Sequence, residues 1–360
     1  MRFLILDTCY PAFLRAHYGR RPGLELRPYD EQWRALMDTF FGTADSYSHA
    51  LGELGHDAHE VVANAAPLQL AWARERGARR PPRLDRRREW IVEAQAAEYE
   101  PDVVYVQNLH HFSRRLLGRL RARGARIVGQ IASEPPAPGK LRAFDLVVTS
   151  FPHFVDRFRA LGVDSAYLRI GFDPRVLARL EASGATRERH GAVFVGALNR
   201  TQHREGNALL ERAARRVPID FWGYAARGWP PGSPLRTRYR GEAWGLEMFR
   251  VLYESKLALN RHIGVAETFA NNMRLYEATG VGTLLVTDAK RNLHELFAPG
   301  REVVAYEGED ELVECVRHYL EHDDERRAIA RAGQERTLRE HTYRHRMQEL
   351  LAILGESPRR

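Results

Sequence analysis

The chain has 360 residues, of which 44% are hydrophobic, with 55 Lys+Arg, 47 Asp+Glu and two cysteines. That length suits two domains with substantial cores, and the composition is that of an ordinary soluble globular protein. Cys9 and Cys315 lie too far apart in sequence to suggest a disulfide framework or a cysteine zinc site, and no apolar run approaches the roughly 18 residues of a membrane span.

The opening run Met1–Leu6 ends at Asp7, too short for a signal peptide, and reads as a buried first strand. Together with the low cysteine count it predicts a cytoplasmic protein. Ser46–Leu54 reads as a helix broken by Gly55, before a strand at Ala58–Ala63. Strand-like runs recur at Val103–Val106, Arg126–Ile131 and Leu146–Thr149, separated by helical stretches such as Phe112–Arg123 and His153–Leu161. Residues 171–190 are polar and broken by Gly and Pro, which predicts a hinge between domains. A second series follows: Ala192–Val195, a helix over His203–Arg215, then Ile219–Trp222, Leu257–Leu259, Thr283–Val286 and Glu302–Tyr306. From Asp310 to Leu354 the pattern is helical. Alternating strands and helices predict an α/β fold with parallel sheets. The expected division is residues 1–170, a hinge at 171–190, a second domain at 191–340 and a C-terminal helix and tail at 341–360.

The formal net charge of +8 suggests nucleic acid only weakly, because most basic residues are interleaved with acids. The densest stretch, Arg74–Arg88, has eight arginines and two acids. It can face an anionic acceptor or a membrane surface, or only water.

Ligands of parallel sheets bind beyond the carboxyl ends of the strands, so the loops there carry the candidate chemistry. In Leu257–Tyr306, Asn271 or Asn272 is a natural N-cap for a helix over Met273–Thr279. The amides and dipole of that helix start suit a phosphate or diphosphate, and Arg274 can clamp phosphate oxygens. Glu277 can accept the two hydroxyl protons of a ribose. The alternative is a surface ion pair between Arg274 and Glu277 at i, i+3. The loop Gly196–Arg204 adds Asn199, Arg200, His203 and Arg204, with Gly196 permitting close backbone approach. Tyr224 can stack on a base, and in the run Asn260-Arg261-His262 the residues chosen are Asn260 and His262.

The run containing Asn272, Arg274, Tyr276, Glu277, Ala278, Gly282, Leu285, Thr287 and Asp288 is followed by Glu295-Leu-Phe-Ala-Pro-Gly300, Glu302, Val304 and Tyr306. With Val193-Phe-Val-Gly196 and His341-Thr-Tyr-Arg-His-Arg346, it resembles the C-terminal domain of GT-B glycosyltransferases of group 1, and within them the spore maturation protein CgeB-like group. The resemblance covers residues 190–350. It implies two Rossmann-like domains facing each other across a cleft, a helical C-terminus, and a nucleoside-diphosphate sugar as donor rather than a bound cofactor. Glu277 resembles the second Glu of the E-x7-E motif of related retaining enzymes. The first position of that motif is Phe269 here, so the stereochemical outcome is not implied.

Transfer to a hydroxyl acceptor needs a general base. Asp7, His110-His111, Glu134 and His153 each follow a strand of the first series and are the candidates, with Asp7 and His110 the first choices. No metal is expected: the acidic groups Glu309–Glu311 and Asp323-Asp324 lie in helical stretches, and no H-E-x-x-H or C-x-x-C occurs. A nucleotide-sugar epimerase and a non-catalytic binding protein of the same architecture remain the alternatives.

Overall fold

The computed structural model describes residues 1–78, 88–199, 203–224 and 226–356; most of the Arg74–Arg88 run, and Arg200, lie outside the described residues. The chain forms two compact units, Met1–Arg169 with Arg346–Arg360, and Ile170–His345.

The first unit holds strands β1 (Arg2–Asp7), β2 (Asp57–Val62), β3 (Val103–Val106), β4 (Arg126–Ile131), β5 (Leu146–Thr149) and β6 (Ser165–Tyr167), in the order β2-β1-β3-β4-β5-β6. All neighbours are parallel, with Leu6 opposite both Val61 and Val106. Strands covered by helices on both faces are apolar at every position rather than at alternate ones, and Phe3–Leu6 and Val103–Val106 are almost fully buried.

The second unit repeats the plan with β7 (His190–Val195), β8 (Ile219–Trp222), β9 (Tyr239–Gly241), β10 (Ser255–Asn260), β11 (Leu284–Asp288) and β12 (Val304–Tyr306). Its order is β12-β11-β10-β7-β8-β9, again all parallel. Helices Glu309–Glu321 and Asp323–Glu340 complete it. A last helix, Tyr343–Glu356, carries the chain back into the first unit, where Arg126 donates to the Leu354 carbonyl at 2.7 Å and Arg169 to Glu349 at 2.5 Å.

Residues 171–190, read above as a hinge, contain the helix Arg175–Ala182 and belong to the second unit. Phe172, Val176 and Leu180 recur every four residues and are buried, so this stretch packs despite its Gly and Pro. Phe172 also exchanges backbone hydrogen bonds with His341 and Tyr343 at 2.8 and 3.0 Å. The His341–Arg346 motif is therefore structural at its start: His341 is fully buried between Tyr276 and Phe297, and its Nε2 donates to the Leu296 carbonyl at 2.9 Å.

Glu60, on β2, is a buried carboxyl with no cationic partner among the described residues. Both the backbone N–H (2.8 Å) and the hydroxyl of Ser48 donate to it. Burial pushes its pKa from 4.5 to about 8, against the Ser48 hydrogen bonds. Between those values the folded chain holds a proton that the unfolded chain has released, so stability falls as pH rises from 5 to 8. Glu60→Gln mimics the protonated form and should flatten that fall by a few kcal/mol, at about 1.4 kcal/mol per pH unit. Denaturant midpoints at pH 5, 6.5 and 8 measure it; parallel pH profiles for the two proteins would mean that Glu60 ionises freely in the fold.

Candidate functional site

The strand order of the second unit reverses between β7 and β10: the chain moves outward to β8 and β9, returns to β10 beside β7, then proceeds to β11 and β12. The loops leaving β7 and β10 diverge there and leave a crevice at the carboxyl edge. Gly196–Asn199 follow β7 and Arg261–His262 follow β10.

The β10 side is organised by side-chain amides. Asn260, buried at the strand end, donates to Thr287 Oγ1 (2.9 Å) and exchanges hydrogen bonds with Asn272 at 3.0 and 3.3 Å. Asn272 is the N-cap of helix Met273–Gly280, accepting from the Leu275 N–H at 3.3 Å. The helix itself uses none of its first amides, those of Met273 and Arg274. Tyr306 on β12 donates to the Asn260 carbonyl at 2.9 Å, so three strands and the helix start form one assembly.

Beside it, His262 Nδ1–H donates to Asp288 Oδ1 at 2.7 Å, and its Nε2 accepts the backbone N–H of Asn271 at 3.3 Å. One neutral tautomer satisfies both contacts. Burial alone would raise the Asp288 carboxyl; donation from His262 and the charge of Lys290, 3.3 Å away, outweigh it and hold the pKa below its ordinary value. Asp288 thus fixes the His262 ring, and the ring fixes the backbone just ahead of the N-cap.

Arg274 and Glu277 form a buried ion pair at 2.9 Å, with side chains 13% and 9% exposed. The Arg274 guanidinium also donates to the Val195 carbonyl at 3.0 Å and meets the Met248 sulfur. Burial pushes the Glu277 carboxyl up and Arg274 pulls it back. The pair spans from the 273–280 helix to the end of β7, so both residues are built into the fold at the crevice wall, and the surface pair considered above is a buried one.

The remaining residues of the second unit divide. Gly196 supports close approach, but of protein: its carbonyl would lie 1.8 Å from a Cβ at Gly223, which has φ +135°. Asn199 presents its carbonyl to Asn207 Nδ2 at 2.7 Å. Arg204 is exposed at the start of helix Arg204–Arg216. Tyr224 stacks on Trp244 with centroids 5.5 Å apart, which makes an aromatic platform rather than a lone ring.

In the first unit the order reverses between β1 and β3, and both candidate bases lie there. Asn108 after β3 donates to Thr8 Oγ1 after β1 at 2.7 Å, closing the base of that crevice. Burial pushes the Asp7 carboxyl from 3.8 to about 6, moderated by the Thr8 N–H. His110 is exposed, and its Nε2 donates to the Glu134 carbonyl at 2.9 Å, which leaves only Nδ1 to take a proton.

Sequence reasoning does not single out Asp288 and Arg261 as site residues. Both stand in the Leu257–Tyr306 run, but their placement depends on strand order and on partners 26 or more residues away.

Residues 200–352 match a family model described as glycosyl transferase-like. No curated protein sequence matches the chain. Among solved structures, the chain is similar to sucrose-phosphate synthase from Thermosynechococcus elongatus, with TM-score 0.59 and 12% identity, covering 99% of this chain and 98% of that one. It is similar to Anabaena Alr3699/HepE in complex with UDP-glucose, with TM-score 0.58 and 14% identity over 99% of both chains. It is also similar to AviGT4, a glycosyltransferase involved in avilamycin A biosynthesis, with TM-score 0.53 and 19% identity over 98% of both chains. The two parallel six-stranded α/β units with a helical C-terminus have the GT-B fold. Among the described residues no helix is long and apolar enough to cross a membrane.

Removing Arg274 strands the Glu277 carboxylate in the interior. Arg274→Ala should lower the unfolding free energy by about 3–5 kcal/mol, and Arg274→Ala/Glu277→Gln should recover part of it. Urea titration reads both; a single variant with the wild-type midpoint would show that the pair contributes nothing to the fold.

Proposed function

We propose that the chain is a glycosyltransferase that moves a sugar from a nucleoside-diphosphate sugar to a hydroxyl acceptor on a glycan, a lipid-linked saccharide or a secondary metabolite. The observation that carries this reading is the β7/β10 crevice, where the capped start of the 273–280 helix meets the loop leaving β7 at the strand-order reversal. Helix amides facing a crevice favour an anionic group, and the leaving group of such a transfer is a diphosphate. That HepE was crystallised with UDP-glucose makes UDP-glucose the first donor to try. The narrower kinship with CgeB-like proteins rests on the Asn272–Tyr306 motif and is part of this proposal.

In the reaction the acceptor oxygen bonds to the anomeric carbon as the bond from that carbon to the diphosphate oxygen breaks. The acceptor proton passes to a base. We assign that role to Asp7, whose pKa of about 6 leaves it ionised at neutral pH yet closer to the working pH than an ordinary carboxylate. The diphosphate charge is met by helix amides and guanidinium, and the transfer is proposed to proceed without a metal.

Thermal-shift and calorimetric titration with UDP-, GDP-, TDP- and ADP-sugars test the donor. One of them should raise the melting temperature by mass action; no binding to any would contradict the reading. Release of the free nucleoside diphosphate marks transfer or slow hydrolysis, whereas an epimerised sugar nucleotide marks the other enzyme class. With the matching acceptor, kcat/KM should rise with pH through an apparent pKa near 6, because the base must lose its proton. Asp7→Asn should abolish that limb and lower turnover by about 10²–10⁴, and chelation should leave the rate unchanged. An intact acidic limb in Asp7→Asn would move the base elsewhere.

A further inference from the structure

Arg261 stands one residue past β10, at the edge of the β7/β10 crevice. Its carbonyl accepts from Asn272 Nδ2 at 3.3 Å, which ties its backbone to the cap of the 273–280 helix. Its side chain reaches the start of the other helix, Arg204–Arg216. There Nη2 donates to Asn207 Oδ1 at 2.7 Å, and the guanidinium lies 5.5 Å from the centroid of the Phe194 ring. The shaft runs so close to Gly206 that a Cβ at that position would meet Arg261 Cδ at 2.3 Å. Only glycine leaves that channel open.

Asn207 is fully buried, and its Nδ2 donates to the carbonyls of Ala197 and Asn199. One amide therefore holds the loop after β7 with its nitrogen and Arg261 with its oxygen. The guanidinium is fixed in place by neutral groups alone. Among the described residues no carboxylate forms an ion pair with it, and its Nε is buried without an acceptor. Arg274, another arginine of this crevice wall, differs: Glu277 neutralises it. A half-buried, rigidly held cation that no carboxylate of the described residues contacts, with Asp288 acting on it only at a distance, is unfavourable for the fold and is offset when an anion enters. A planar guanidinium matches two phosphate oxygens at once.

We propose that Arg261 is the cation that receives the donor's diphosphate, with Asn207 as the positioning residue that aims it. This assignment rests on the nucleotide-sugar reading of the site. It predicts that Arg261 discriminates a nucleoside diphosphate from the bare nucleoside. It also predicts that removing the charge does not harm the empty protein.

The test is calorimetric titration of wild type, Arg261→Met, Arg261→Lys and Asn207→Ala with UDP and with uridine, beside melting curves without ligand. GDP, TDP or ADP and their nucleosides replace them if wild type binds one of those more tightly. Arg261→Met should lose at least tenfold in diphosphate affinity, keep its nucleoside affinity, and melt close to the wild-type temperature, the removed charge offsetting the Asn207 oxygen left unpaired. Arg261→Lys should recover part of the loss, and Asn207→Ala should show the same selective loss with a lower melting temperature. If Arg261→Met keeps the wild-type preference for diphosphate over nucleoside, the assignment is overturned while the donor reading stands. If it melts lower and loses both ligands equally, Arg261 is structural and the assignment again fails. A wild type that binds none of the four diphosphates overturns the donor reading and this assignment with it.

Discussion

Reversal of strand order in a parallel sheet is the constraint on which both units depend. A right-handed crossover helix covers the face beside each strand it joins, and the two strands flanking a reversal send their helices to opposite faces. The carboxyl ends of β7 and β10 are therefore left open, as are those of β1 and β3. The polar residues of the chain follow from this. Asn260, Thr287 and Asn272 close the floor of one crevice, and Thr8 and Asn108 that of the other, where apolar side chains would meet solvent.

The charged groups around the second crevice separate by what neutralises them. Arg274 and Glu277 neutralise each other in the interior and brace the 273–280 helix against β7. Asp288 is met by His262 and Lys290, and through His262 it fixes the backbone ahead of the N-cap. Arg261 is held as firmly as either, yet only by neutral groups. A buried charge that is balanced within the chain contributes to architecture; one left unbalanced in a crevice is available to a ligand. Arg274, in the first turn of a helix, is thus neutralised by the chain itself, whereas Arg261, one residue past a strand, is the cation proposed for the ligand.

Much of the framework is legible in the sequence, because a strand buried on both faces is a continuous apolar run. Val103–Val106, Arg126–Ile131, Leu146–Thr149 and Ile219–Trp222 are strands over the very residues that the pattern marks. The edge strands Ser165–Tyr167 and Tyr239–Gly241 are three residues long and partly polar, so they carry no such signal. Asn272 is legible as a cap because capping is local. The partner of Glu277 is legible as an alternative because i, i+3 spacing is local too, although its burial is not. Arg261 is not legible: nothing near it in sequence shows that Asn207, 54 residues away, holds it, or that among the described residues no carboxylate does. The packing of residues 171–190 is not legible either, because Phe172, Val176 and Leu180 show their burial only once the elements against which they lie are known.

On the proposed function, the β7/β10 crevice of the second unit receives the diphosphate of a sugar nucleotide. Crystallography of the protein soaked with the nucleoside diphosphate that it binds tests this directly. The expected result is phosphate density between the start of the 273–280 helix and the loop after β7, within hydrogen-bond reach of Arg261. Nucleotide density at the β1/β3 crevice of the first unit, or away from both reversals, would contradict it.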